Sequence, residues 1–214
     1  MRSMCSTTGS WRHEFMFPEI DMSLSLLRVT QRIFSGVASA VVAWALVGGA
    51  QVAHAADTVD HTTIQVGFSP DGSAEALVLD VIGRARYEIR VMAYSFTSPE
   101  IARALLKAKR RGVDVQLVVD AAESKNAAAA AALNLLSTAG VPIRLNDRYR
   151  IQHDKVIVVD RKHVETGSFN FSRAAARSNS ENVIVLWDRS DVAAQYLNHW
   201  RSRWDSGTPF RSAY

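Results

Sequence analysis

A single cysteine, Cys5, serves 214 residues. It lies at the extreme N-terminus, so the body of the chain has no thiol for a disulfide, a catalytic nucleophile or a sulfur-ligated metal. Other signatures are missing too. There is no Gly-x-Ser-x-Gly elbow, no His-Glu-x-x-His pair and no glycine-rich nucleotide loop; Val81-Ile82-Gly83 falls inside a predicted helix and means little. Internal repeats are absent. So is a strong net charge: 25 Lys and Arg against 21 Asp and Glu give +4. Such a mild balance does not by itself identify a nucleic-acid binder.

Charge is also missing from one long stretch near the start. Arg28 and Arg32 precede an uncharged run from Ile33 to Ala53, and Ala53-His54-Ala55 supplies small residues where a signal peptidase reads them. This pattern predicts a secretory signal cleaved after Ala55, with Met22 giving a more ordinary signal length than Met1. Residues 1–55 are then an N-terminal extension and signal peptide, and residues 56–214 one domain. An uncleaved anchor is the competing reading, since the run is long enough to cross a bilayer. Ala, Gly and Ser dilute it and favour cleavage. The expectation is a periplasmic or secreted protein, without stable membrane association after cleavage, that folds in an oxidising space by packing alone.

What is present is concentrated in residues 153–170. His153-Asp154-Lys155 leads into Val156-Ile157-Val158-Val159 and Asp160, and Gly167-Ser168-Phe169-Asn170 follows. Side chains two apart on a strand share a face, about 6–7 Å apart, so His153 and Lys155 point into one space. The Val-Ile-Val-Val run is apolar on both faces, as in a strand buried between layers. Val164-Glu165-Thr166 is a second strand that delivers the Ser168 hydroxyl and Asn170 amide, with Gly167 permitting close backbone approach. A nucleophile that titrates near neutrality, a fixed cation and two neutral donors are the parts a phosphoryl transition state needs. Asp160, just past the strand, suits an anchoring or orienting role. His153, Asp154 and Asp160 could be imagined around a metal, but Lys155 would repel the ion; no metal or cofactor is expected.

The pattern His-x-Lys, Asp five residues after the lysine, then Gly-Ser-x-Asn resembles the signature of the phospholipase D superfamily. Asn179-Ser180-Glu181-Asn182, Val66-Gly67-Phe68-Ser69-Pro70, Ala93-Tyr94-Ser95-Phe96-Thr97 and the Trp200/Trp204 tail are similar to the Nuc-type bacterial members, from about residue 63 to the C-terminus. The resemblance implies a secreted endonuclease fold and metal-independent cleavage of phosphodiesters through a covalent phosphohistidine. It also implies that the Glu181 carboxylate hydrogen-bonds a catalytic imidazole, and it makes His153, Lys155, Asp160, Ser168, Asn170 and Glu181 the catalytic set.

Two-step transfer needs one histidine to attack phosphorus and another to protonate the leaving oxygen. The chain has one His-x-Lys; His61, His163 and His199 lack that context. A homodimer with two copies of His153 across a two-fold axis is the economical solution, and a monomer using His163 the lesser one. Arg144, Arg148 and Arg150 before the motif and Arg173 and Arg177 after it are placed to track a phosphate backbone. Arg148, Arg150 and Arg173 are the substrate-binding candidates. Nucleic acid is the expected substrate, with a phospholipid headgroup as the alternative.

The remainder reads as one α/β domain. Strands are predicted at 64–68, 88–94, 113–119 and 183–187, and helices from Ser73 to about Arg86, from Pro99 to Gly112, over 126–138 and over 191–204. Their alternation predicts a mixed, mostly parallel sheet flanked by helices on both faces.

Overall fold

The computed structural model describes residues 63–212. The signal segment, its cleavage point and the division at residue 55 lie outside the described residues. The strands are β1 (Ile64–Ser69), β2 (Glu88–Ala93), β3 (Asp114–Asp120), β4 (Ile143–Asn146), β5 (Lys155–Val159), β6 (His163–Gly167), β7 (Glu181–Leu186) and β8 (Thr208–Pro209). The helices are α1 (Ser73–Arg84), α2 (Pro99–Arg110), α3 (Ala127–Thr138), α4 (Arg173–Arg177) and α5 (Ser190–Ser206).

All eight strands form one sheet, in the order β1-β7-β6-β5-β2-β3-β4-β8. The α/β class stands, but a mostly parallel sheet is corrected. Only β2 with β3 and β3 with β4 pair in parallel. The reason is connection length. Helices α2 and α3 carry the chain back across the sheet between β2, β3 and β4, which a parallel pair requires. By contrast, β5 and β6 are joined by Asp160-Arg161-Lys162 alone, a turn that only an antiparallel pair accepts.

Helices cover both faces, as the alternation predicts. On one face α1, α2 and α3 set Val78, Ile82, Ile101, Leu105, Leu133 and Leu136 against Val91, Leu117, Ile157, Val159 and Val185. On the other, α5 lays Ala193 and Trp200 over Met92, Val118, Val156, Val158 and Val164. Every residue of β5 is buried, so this strand is a fixed platform between two layers. Each fully buried aliphatic side chain contributes about 1.5–3 kcal/mol relative to exposure.

Local chemistry explains most element ends. Ser98 accepts from the Ile101 amide and Pro99 occupies the first turn of α2. Asn126 accepts from the Ala129 amide at 2.9 Å and opens α3. Gly72, at φ 93°, is the capping position, and Ser73 is the first helical residue. Its hydroxyl turns back to Phe68 and Asp71.

Candidate active site

The C-terminal ends of β1, β2 and β6 and the N-terminal ends of β5 and β7 meet at one edge of the sheet. Ala93 pairs with Lys155, Gly167 with Val183 and Ser69 with Glu181. There Lys155 is buried, while His153 is exposed in the extended segment just before β5. The tyrosine ring of Tyr94 tilts against His153 with centroids 4.7 Å apart. The Lys155 ammonium sits 5.3 Å from the same ring and donates to the His153 carbonyl at 3.0 Å. Burial pulls the Lys155 pKa below the usual lysine value, while the Glu181 and Asp154 carboxylates oppose that shift. One cation is thus held beside His153 by a π face and a carbonyl.

Glu181 and Ser168 form a second cluster. The Ser168 hydroxyl donates to Glu181 Oε2 at 2.6 Å and accepts from the Asn182 amide at 3.1 Å. Asn179 donates to Glu181 Oε1 at 2.9 Å. Within one chain the Glu181 carboxylate therefore bonds Ser168 and Asn179, not His153 as the resemblance implies. The register is the reason: β6 lies between β7 and β5, so Glu181 meets the end of β6 first. The Ser168 hydrogen is likewise committed to Glu181 and is not a free donor to an anion. Gly167 is required by contact, since a Cβ there would collide with the Asn182 carbonyl oxygen. Asn170 precedes Phe171, which bridges to Phe96, and its buried Oδ1 has no partner among the described residues. That atom is a polar group waiting for one.

Some expected residues are not brought to this edge. Asp160 follows the other end of β5, about 16 Å from Lys155 at strand rise, and so leaves the reacting set. Its carboxylate accepts from the backbone amides of Arg86, Tyr87 and Glu88 at 2.9, 2.7 and 3.0 Å. It ties the turn after α1 to the β5–β6 hairpin. His163 pairs with Val159 at that same far end, and its Nδ1 accepts from the Asp188 amide, which removes it as a partner for His153. Arg148 and Arg150 are exposed in the segment leading into His153. Arg173 faces Glu100 at 3.8 Å, which shares its charge. Arg144 is structural: it donates to the Trp204 and Gly207 carbonyls and lies over the Trp204 ring.

Three supporting residues lie outside the predicted catalytic set. Asp120, at the end of β3, accepts from the Gln152 amide at 2.9 Å and fixes the chain one residue before His153. Asp154 accepts at its carbonyl from the Tyr94 amide at 2.9 Å, extending the β2–β5 ladder past the strand end. Its side chain meets His199 of α5, with Nε2 3.1 Å from Oδ1. The clue to His199 was its place beside Trp200: the Trp200/Trp204 spacing marks the face α5 buries, and His199 borders it. Among the described residues no group of three or more His, Cys, Asp or Glu side chains could hold a metal ion. None of their helices is long and apolar enough to cross a membrane.

Fold and site together define a PLD-like phosphodiesterase. Residues 78–204 match the family described as "Cardiolipin synthase, PLD-like domain". The chain is 37% identical over 136 residues to a phospholipase D of Rickettsia felis, covering 64% of this chain and 66% of that one. It is 32% identical over 139 residues to the mitochondrial cardiolipin hydrolase of Xenopus laevis, covering 65% and 64%. The chain thus spans about two thirds of the length of these curated relatives. The crystal structure of the phospholipase D family member Nuc from Salmonella typhimurium superposes with a TM-score of 0.70 at 50% identity, covering 71% of this chain and 99% of that one. NucT from Helicobacter pylori, at 22% identity and TM-score 0.60, shares the fold, over 70% of this chain and 99% of that one. The chain belongs to the phospholipase D superfamily.

Proposed function

We propose that the protein is a secreted, metal-independent endonuclease that hydrolyses DNA or RNA phosphodiesters at a site completed by a second copy of the chain. The observation that carries this reading is the exposed His153, which no second imidazole among the described residues faces from its own side of the sheet. His163 is at the other end of the sheet, and His199 engages Asp154, whose side chain leaves β5 on the face opposite Lys155. In the proposed reaction a His153 nitrogen forms a bond to phosphorus as the bond to the leaving oxygen breaks. The His153 of a second copy protonates that oxygen and then takes a proton from water, whose oxygen displaces the imidazole from phosphorus. Lys155 offsets charge on the phosphoryl oxygens.

Support for nucleic acid comes from the Nuc-type resemblance and from Arg148 and Arg150 beside the nucleophile. Support for the pairing comes from β1, an edge strand that exposes Ile64, Val66 and Phe68 on one face, each more than half accessible. Plasmid nicking in excess EDTA by the chain from Ala56, with His153→Ala in parallel, tests the reading. Cleavage that vanishes in the variant is the expected result; no cleavage by the folded protein rejects it.

A second reading, hydrolysis of a phospholipid headgroup, is favoured by the names of the Rickettsia and Xenopus relatives. Tyr149 and Ile151, both exposed ahead of His153, would form its apolar lip. Choline release from phosphatidylcholine vesicles without any nicking would select it.

A further inference from the structure

A cavity of about 750 Å³ does not contain His153. It lies at the opposite end of β5, where Asp160 gathers the backbone of Arg86, Tyr87 and Glu88. Its lining includes Arg84, Arg86, Tyr87, Lys162, His163 and Trp187.

The charges there are unequally used. Lys162 pairs with Asp188 at 2.9 Å, and Asp160 is filled by three backbone amides. Arg84 pairs with Asp80 at 2.9 Å and lies over the Trp187 ring, its Cζ 4.6 Å from the centroid. Among the described residues the Arg86 guanidinium has no carboxylate partner. His163 accepts at Nδ1 from the Asp188 amide, so its neutral form carries a hydrogen on Nε2. The result is a free cation and a neutral donor beside stacked planar groups.

Tyr87 is the most exposed large hydrophobic residue described, at 73%. Its backbone is pinned on both sides: the amide donates to Asp160 at 2.7 Å, and the carbonyl accepts from the Asp114 amide at 2.9 Å. A ring with no core role, held rigidly in water next to an unpaired guanidinium, has the form of a stacking platform with a phosphate contact.

We propose that this cavity is a distal nucleotide subsite, taking one base on Tyr87 and its phosphate on Arg86 from a strand whose scissile bond lies at His153. The inference rests on the nuclease reading. From His153 to Asp160 is seven residues, about 23 Å at strand rise, which corresponds to roughly seven nucleotides at the ~3.4 Å rise per nucleotide of one strand. A trinucleotide therefore reaches only the active site, whereas a dodecamer reaches both.

The test compares cleavage of the trimer and the dodecamer of thymidylate by the wild-type protein and by the double variant Arg86→Ala, Tyr87→Ala. Both side chains are exposed, and Asp160 uses only their backbone amides, so the anchor is retained. The wild type is expected to show a KM about ten-fold lower for the dodecamer, within the range a stacked base contributes. The double variant should lose that advantage, with the trimer KM and both kcat values unchanged. A wild type without length dependence, or a variant that keeps it, overturns the subsite while leaving the nuclease reading intact. A wild type that cleaves neither oligomer overturns both.

Discussion

His199 Nε2 lies 3.1 Å from Asp154 Oδ1, so the residue between His153 and Lys155 is bonded to the closing helix. The contact acts on the backbone that carries His153. Asp154 is held at its carbonyl by Tyr94 and at its side chain by α5, from two separate layers. His199 is a positioning residue in this arrangement. His199→Ala should lower kcat about ten-fold or more, since misplacing a reacting group by ~1 Å costs about that much or greater. KM should stay within two-fold, and His199→Gln, which keeps an N–H donor, should recover most of the loss. Thermal melting separates this from unfolding; a wild-type kcat in His199→Ala removes the role.

Lys155 offers a sharper test of the site itself. Its ammonium is buried, held by a carbonyl and a tyrosine face, and offset by Glu181 and Asp154. Lys155→Ala should reduce kcat on the order of 10²-fold or more, the scale of losing one transition-state contact. Lys155→Arg should not restore it, because a planar guanidinium does not fit the space of a compact ammonium. Single-turnover rates would check this: a near-normal rate in Lys155→Ala removes Lys155 from the chemistry, and one in Lys155→Arg shows that any cation there suffices.

Much of the fold and part of the site were legible in the sequence, for reasons that differ by residue. His153 and Lys155 could be paired because strand geometry converts a spacing of two into a shared face. The Val156–Val159 run announced a buried strand, and all four are indeed buried. Asp160 belongs to the same motif, yet the five residues that separate it from Lys155 carry it to the far edge of the sheet. Motif membership did not reveal that distance; strand rise does. His199 was hidden for another reason. It lies 46 residues from His153, and only the packing of α5 against the sheet brings it to Asp154. Arg144 looked like a phosphate contact by proximity in sequence, but alternation along β4 sends it toward Trp204. The strand β4 itself, four residues long, was too short to leave a periodic signal.

Glu165 makes stability depend on pH in an uncommon direction. It pairs with Ile157 and Val185 in the sheet and points into the main core, fully buried, with neither carboxyl oxygen hydrogen-bonded. Burial pushes its pKa well above the usual glutamate value, and only the Ile157 backbone works the other way. The unfolded chain therefore releases this proton near the ordinary value of 4.5, while the folded chain holds it. Because the unfolded state binds fewer protons in that window, its contribution to stability is full below 4.5 and declines as pH rises toward the raised folded value. Glu165→Met removes the unpaired oxygens at similar volume. It should raise stability at neutral pH by about 1–3 kcal/mol, the usual magnitude for an unpaired buried polar group. It should also flatten the decline above pH 4.5. Urea melts at pH 4.5 and 7.5 are the check, and an unchanged slope in the variant would show that the glutamate does not titrate with folding.

The shared site can be tested by mixing copies. If each reaction needs two His153 side chains, one as nucleophile and one as proton carrier, a dimer with one His153→Ala subunit is inactive. Random exchange of wild-type and His153→Ala chains in equal amounts should then leave about a quarter of the activity, following the square of the wild-type fraction. Independent sites would leave about half. The β1 face supplies the complementary test. Ile64, Val66 and Phe68 alternate along an edge strand, and the register sets Ile184 beside Val66. A charge at the centre of an apolar contact is disfavoured on both copies at once, so Val66→Asp should shift sedimentation from dimer to monomer. Activity should fall with the dimer population while each monomer keeps its melting temperature within a few degrees. A fully active Val66→Asp monomer would refute a shared site, because the second imidazole would then have to come from within the chain, where neither His163 nor His199 shares the space of His153.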